Sequence, residues 1–219
     1  MKKRYIVIGI ILLLIVFIIA SNKGKKEFPT IVGDISTDFS DEKIVTIIGY
    51  DGDAMEPYIS RDGKYLFFNN EKGQNDKDIY YAEKISSATF KFKGEVLGVN
   101  TPEVDGNPTM DAQNNLYFIT TRDIKSGDFA TIYSGVFRDG VVKNLRKVKG
   151  TVNVDKKDWI NMGVEITKDG NAMYTSNAHF TGAAFPSEGD IRFAIKEGDE
   201  FNIPENEAGI FKNINTDNA

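Results

Sequence analysis

Three stretches of this 219-residue chain run through the same short program, a strand, a tight turn and a second strand. The first is Met55-Glu56-Pro57-Tyr58-Ile59-Ser60-Arg61-Asp62-Gly63-Lys64-Tyr65-Leu66-Phe67-Phe68. The second is Gly106-Asn107-Pro108-Thr109-Met110-Asp111, continuing at Asn114-Asn115-Leu116-Tyr117-Phe118. The third is Met162-Gly163-Val164-Glu165-Ile166-Thr167-Lys168-Asp169-Gly170-Asn171-Ala172-Met173-Tyr174. A self-similar period of roughly 50–55 residues means a supersecondary unit that cannot bury its apolar surface alone and must stack on its neighbours. Asp-Gly and Asn-Asn supply the positive-φ residues that a hairpin turn requires, and the second copy is one residue shorter in its turn.

A third strand follows each hairpin: Asp78-Ile79-Tyr80-Tyr81-Ala82, Thr131-Ile132-Tyr133-Ser134-Gly135-Val136-Phe137 and Asp190-Ile191-Arg192-Phe193-Ala194. A fourth is expected near residues 94–99, 141–148 and 209–214. Four antiparallel strands per repeat make a propeller blade. The second strand of a unit reads apolar on both faces, as in Tyr65-Leu66-Phe67-Phe68 and Leu116-Tyr117-Phe118-Ile119. A sheet covered on both sides by neighbouring sheets needs that pattern, whereas a two-layer sandwich shows cleaner alternation.

The string Pro57-Tyr58-Ile59-Ser60-Arg61-Asp62-Gly63-Lys64-Tyr65-Leu66-Phe67-Phe68, followed by Asp78-Ile79-Tyr80, resembles the repeat of the TolB-like β-propeller family. The second unit keeps Pro108 and loses Asp-Gly; the third keeps Thr167, Asp169 and Gly170 but has Val164 where the proline would be. The resemblance implies an all-β, incomplete TolB-like propeller over residues 41–219. It covers residues 50–216 and implies a fold only, since such propellers host binding, scaffolding and enzymatic roles alike.

Propellers of this family have roughly six blades, and ring closure takes at least about four. Three units plus one extra strand at residues 43–48 are therefore expected to form an open arc. A truncated product, a fragment, or a protomer that completes a ring with a partner would each look like this. Both end faces of such an arc are expected to lie unprotected, and uncapped repeat arrays associate.

Ahead of the repeats, Lys2, Lys3 and Arg4 precede an uncharged apolar run at residues 5–20 and a polar, basic stretch at 21–26. That order is the pattern of an export signal or an N-terminal membrane anchor, assigned to residues 1–22. Ala20 could sit at a cleavage site, but Ile18 spoils the small-x-small signal. Residues 23–40 read as a linker. The expected location is periplasmic or extracellular, tethered through residues 5–20 if the segment is uncleaved. With no cysteine, an acylated lipoprotein anchor, disulfides, thiolate zinc sites and thiol nucleophiles are excluded.

A formal net charge of -5, with lysine and arginine scattered singly, argues against a nucleic-acid partner. His179 is the only histidine and is expected in a loop; without a second histidine or a cysteine it supports no metal site or nucleophile relay. Trp159 is expected to pack between blades rather than to stack on a ligand. No phosphate loop, Gly-x-Ser-x-Gly elbow or twelve-residue calcium loop is present.

The candidates that remain lie where inner strands begin and converge on one mouth of a channel. They are Asp53, Glu56, Asp105, Asn107, Asn161 and Glu165. Their plainest reading is turn chemistry. Oxygens arriving from several blades could also hold a basic peptide or a hard cation such as Ca²⁺; no other cofactor is expected. The function expected is a non-catalytic binding or scaffold module with a protein or peptide partner. The alternative is a hydrolase or lyase remnant using Glu56, Asp105 or Glu165 as acid or base, which requires two carboxylates in one pocket.

Overall fold

The computed structural model describes residues 43–70, 77–182 and 186–205. The chain divides into two compact units, Met1–Glu42 and Lys43–Ala219. The expected signal or anchor and the linker lie outside the described residues, as does the fourth strand expected at 209–214. Among the described residues no helix is long and apolar enough to cross a membrane.

The second unit is built from three sheets in chain order. The first holds β1 (Thr46–Ile48), β2 (Met55–Ile59), β3 (Tyr65–Asn69), β4 (Ile79–Lys84) and β5 (Thr89–Glu95), in the spatial order β1-β5-β4-β3-β2. The second holds β6 (Asp105–Met110), β7 (Asn115–Thr120), β8 (Ile132–Arg138) and β9 (Val141–Lys147). The third holds β10 (Trp159–Ile166), β11 (Ala172–His179), β12 (Glu188–Glu197) and β13 (Glu200–Asn202). Every pair is antiparallel with its chain neighbour except β1, which lies parallel on β5. These are propeller blades, and the fold is an all-β, partial propeller. Two fourth strands sit elsewhere than expected. In blade one it is β5, upstream of 96–99; in blade three it is β13, reached by a tight turn straight after β12. A turn that short was hidden because Glu197-Gly198-Asp199-Glu200 reads as polar linker.

The hairpin turns explain the variation among the repeats. In blade one Ser60 Oγ donates to Asp62 Oδ1 (2.6 Å) and accepts from Tyr65 N (2.9 Å), while Asp62 Oδ1 also accepts from Lys64 N (2.9 Å). Blade three repeats this with Thr167, Asp169, Asn171 N and Ala172 N. In blade two Asp111 does both jobs: Oδ1 accepts from Gln113 N and Asn115 N, both at 2.9 Å. One side chain spanning both positions makes the turn a residue shorter, and Asn114 (φ +65°) takes the left-handed place held by Gly63 (+71°) and Gly170 (+74°).

Side-chain alternation along the second strands sorts the core into interfaces. Tyr65 and Phe67 point from blade one at Leu116, Phe118 and Phe137 of blade two. Tyr117 and Ile119, the intervening residues of β7, point at Val164, Ile166 and Met173 of blade three. The Phe67 and Phe137 rings meet edge to face with centroids 4.9 Å apart. Leu116, Phe118 and Met173 are fully buried, and each such side chain contributes about 1.5–3 kcal/mol of burial. The opposite face of blade one, with Leu66, Phe68, Tyr80, Ala82 and Phe90, is also buried, beneath Ile47 and Tyr50. The expectation of two unprotected end faces is thus corrected at the leading end. The segment before β2 folds over that face, which strand counting could not show.

Candidate functional site

The inner strands β2, β6 and β10 form the edge of each blade, and all three are bulged. Register shifts fall between Met55 and Tyr58, between Gly106 and Thr109, and between Asn161 and Gly163. An edge strand tolerates Pro57 and Pro108 because no ladder bond is lost. The residues before them, Glu56 and Asn107, take positive φ (+49° and +51°). Counting back from the turns aligns Glu56 with Asn107 and Gly163, Tyr58 with Thr109 and Glu165, and Asp105 with Asn161. Glu165 is therefore the counterpart of Tyr58 and Thr109, two places nearer the turn than the position held by Glu56.

These positions bind one blade to the next. Glu56 Oε2 accepts the Asn107 N–H at 2.8 Å, and Asn107 Oδ1 in turn accepts the Val164 N–H at 2.8 Å. Gly106 keeps the first approach open, since a Cβ there would stand 3.0 Å from Glu56 Oε2. With its amide turned to donate, Asn69 also reaches Glu56 Oε2 (2.9 Å), and Lys77 lies 3.8 Å from Oε1. Glu165 Oε2 accepts from Thr109 Oγ1 (2.8 Å) and Oε1 from Arg61 Nη2 (2.6 Å). Arg61 reaches further, donating to the carbonyls of Ile166 (2.6 Å) and Met110 (3.3 Å), so one side chain of blade one touches both other blades.

Asp105 and Asn161 are both fully buried and clamp the linker arriving from the previous blade. Asp105 Oδ2 accepts from Thr101 N and Thr101 Oγ1, each at 2.7 Å, and Oδ1 accepts from Arg122 Nη2 at 3.0 Å. Burial pushes the Asp105 carboxyl above its ordinary pKa, against the downward pull of the Thr101 hydrogen bonds and the Arg122 charge. Asn161 donates to the Val152 carbonyl (3.0 Å) and to Asn177 Oδ1 (2.6 Å), and accepts from Val154 N (2.9 Å). Asp53 stands apart: it is exposed, and its backbone carbonyl accepts the Tyr50 hydroxyl at 2.8 Å.

The structure thus joins Glu56 to Asn107, and Glu165 to Arg61 and Thr109, but as separate inter-blade latches. Among the described residues no three histidine or carboxylate groups converge to hold a metal ion. His179 is the last residue of β11 rather than part of a loop, and pairs with Trp159 in register. Their rings stack 4.9 Å apart within 7° of parallel, with the Lys156 ammonium 5.3 Å from the Trp159 ring. Trp159 therefore packs within blade three, not between blades.

Sequence reasoning passed over a second pair of clamps. Asn100 Oδ1 accepts from Ile79 N (2.9 Å) and its Nδ2 donates to Ile79 O (3.1 Å). Asn153 does the same to Ile132, at 3.0 and 2.9 Å. The signal was present: each asparagine follows a buried valine, Val99 or Val152, between a fourth strand and the next inner strand.

What stays open is a pair of adjoining clefts at the turn end. One, of about 300 Å³, lies between Arg61, Asp62, Asp111, Asn114 and Lys168. The other, of about 650 Å³, lies between Ala112, Gln113, Lys168, Asp169 and Asn171. Ala112 and Lys168 belong to both, and the Ala112 N–H donates to the Lys168 carbonyl at 2.9 Å. Both signs of charge line this surface, and all three blades contribute to it.

No protein-family model matches the chain, and no curated protein matches it. Among solved structures it is similar to the crystal structure of TolB from Acinetobacter baumannii, with 16% identity and a TM-score of 0.45. The match covers 70% of this chain and 33% of that one, so the chain spans about a third of that protein's length.

Proposed function

We propose that this chain is a non-catalytic binding or scaffold module of propeller type, acting outside the cytoplasm with a protein or peptide partner. One observation carries the reading. Glu56, Asp105 and Glu165, the carboxylates an acid–base mechanism would need, each hold structural hydrogen bonds within or between blades. Acid–base chemistry needs a carboxylate with a free oxygen facing substrate. The turn-end cleft carries Arg61, Asp62, Lys168 and Asp169, and this mixed charge suits an extended peptide segment with charges of both signs. The basic residues 2–4 and the apolar run at 5–20 support a place outside the cytoplasm.

A photo-crosslinking residue placed at Gln113 in the full chain, expressed in its source cells, tests this. A discrete protein adduct is expected there and not from the same probe at Lys143 on the outer edge of blade two. Lys168→Glu should weaken the adduct. Equal, diffuse labelling at both positions would remove the cleft as a binding surface.

A further inference from the structure

The segment ahead of β2 does more than extend a sheet. We propose that residues 46–53 are an end strap: they occupy, on blade one, a surface built to receive another blade, and so keep a second copy of this chain from stacking there. This inference stands apart from the cleft reading above.

The repeat itself identifies the surface. Leu66 pairs with the last residue of its inner strand, as Leu116 does with Met110 and Met173 with Ile166. Leu66 and Phe68 are therefore the counterparts of Leu116 and Phe118, which are buried under blade one, and of Met173, which is buried under blade two. Blade one faces no other blade on that side among the described residues. Leu66 and Phe68 are nevertheless only 5% and 0% exposed.

The cover is aromatic. The Tyr50 ring stands edge-on to Phe68 at 4.9 Å, 5.0 Å from Phe92 and 6.0 Å from Tyr80, and Ile47 joins the same cluster. The strap is lightly fixed. It is held by the three-residue strand β1, by Thr46 N donating to the Ala88 carbonyl (2.9 Å), and by the Tyr50 hydroxyl on the Asp53 carbonyl (2.8 Å). Tyr50 is only half-buried, and residues 51–53 are exposed.

Lifting the strap uncovers the apolar face formed by Leu66, Phe68, Tyr80, Ala82 and Phe90, which favours association. A second copy is the fitting occupant, because the surface repeats the one by which blades two and three dock on their predecessors. That copy also exposes apolar Met162 and Ile195 on blade three.

The full chain carrying Tyr50→Ala, with Tyr50→Leu as a milder partner, tests this by sedimentation velocity over a concentration series in one mild detergent. Near-UV circular dichroism reports whether the core survives. Tyr50→Ala should self-associate about tenfold more tightly than the parent, about 1.4 kcal/mol, with the near-UV spectrum retained and Tyr50→Leu in between. Unchanged association with an intact spectrum would overturn the proposal. Loss of the spectrum in both variants would also overturn it, because the segment would then be part of the folding core rather than a removable strap.

Discussion

Arg122 shows how much one side chain carries in a fold made of small sheets. Its guanidinium lies 4.9 Å from the Tyr133 ring centroid, donates to the Val99 carbonyl at 2.5 Å, and pairs with fully buried Asp105 at 3.0 Å. Removing one partner of such a pair strands a buried charge, so Arg122→Met should cost about 3–5 kcal/mol at neutral pH. The pH dependence follows from Asp105. Its pKa is raised in the folded protein, chiefly by burial, so the folded state holds the proton more tightly than the unfolded chain. Its contribution to stability is then largest below the ordinary aspartate value and falls as pH rises through the folded value. Without the Arg122 charge the Asp105 carboxyl is pushed higher still, and the deficit of Arg122→Met should shrink as the solution is acidified. Urea melts of parent and variant from neutral to acid pH read this directly; a deficit constant with pH would show that Arg122 does not alter the titration of Asp105 in the folded protein.

At the scale of the element, the linkers between blades are as specified as the strands. Asn100 and Asn153 each close both hydrogen-bonding groups of one residue, Ile79 or Ile132, at the entry of a third strand. Truncation to alanine takes the side-chain partner from the isoleucine N–H, while the carbonyl still accepts from Val96 N or Val148 N, and a stranded donor costs about 1–3 kcal/mol per site. Asn100→Ala and Asn153→Ala should each lower the unfolding midpoint by that measure. Because they clamp different blades, the double variant should lose the sum to within about 0.5 kcal/mol. Marked non-additivity in denaturant melts would mean that the two linkers act as one unit. These clamps were visible in the sequence as a repeated valine–asparagine pair. Their role was not, because an asparagine between strands reads equally well as an ordinary turn residue.

Across the molecule, stability resides in the interfaces between sheets rather than within any sheet. Phe67 belongs to blade one by sequence, but its ring packs against Phe137 of blade two. Phe67→Ala should cost about 3–5 kcal/mol. The loss should appear as faster amide exchange in β7 and β8 as well as in β3 and β4, since neighbouring repeats share their stabilisation. Exchange that quickens in blade one alone would show that the blades melt independently. The Arg61 contacts to Met110, Ile166 and Glu165 tie the turn of blade one to both other blades.

Alternation of apolar residues, positive-φ turn residues and the repeat period are local properties, so the three blades and the strand before them were legible from the residues alone. The Ser-x-Asp-Gly turn and its one-residue-shorter Asp111 version were legible for the same reason. The fates of Glu56, Asp105, Asn107, Asn161 and Glu165 were not. Each is decided by a partner roughly 4 to 100 residues away in sequence, and a bulge of one residue shifts which position faces the next blade. A carboxylate looks the same in sequence whether it faces solvent or accepts a neighbour's N–H. Only the stacking of one sheet on another determines which, because it sets the partner within hydrogen-bond reach.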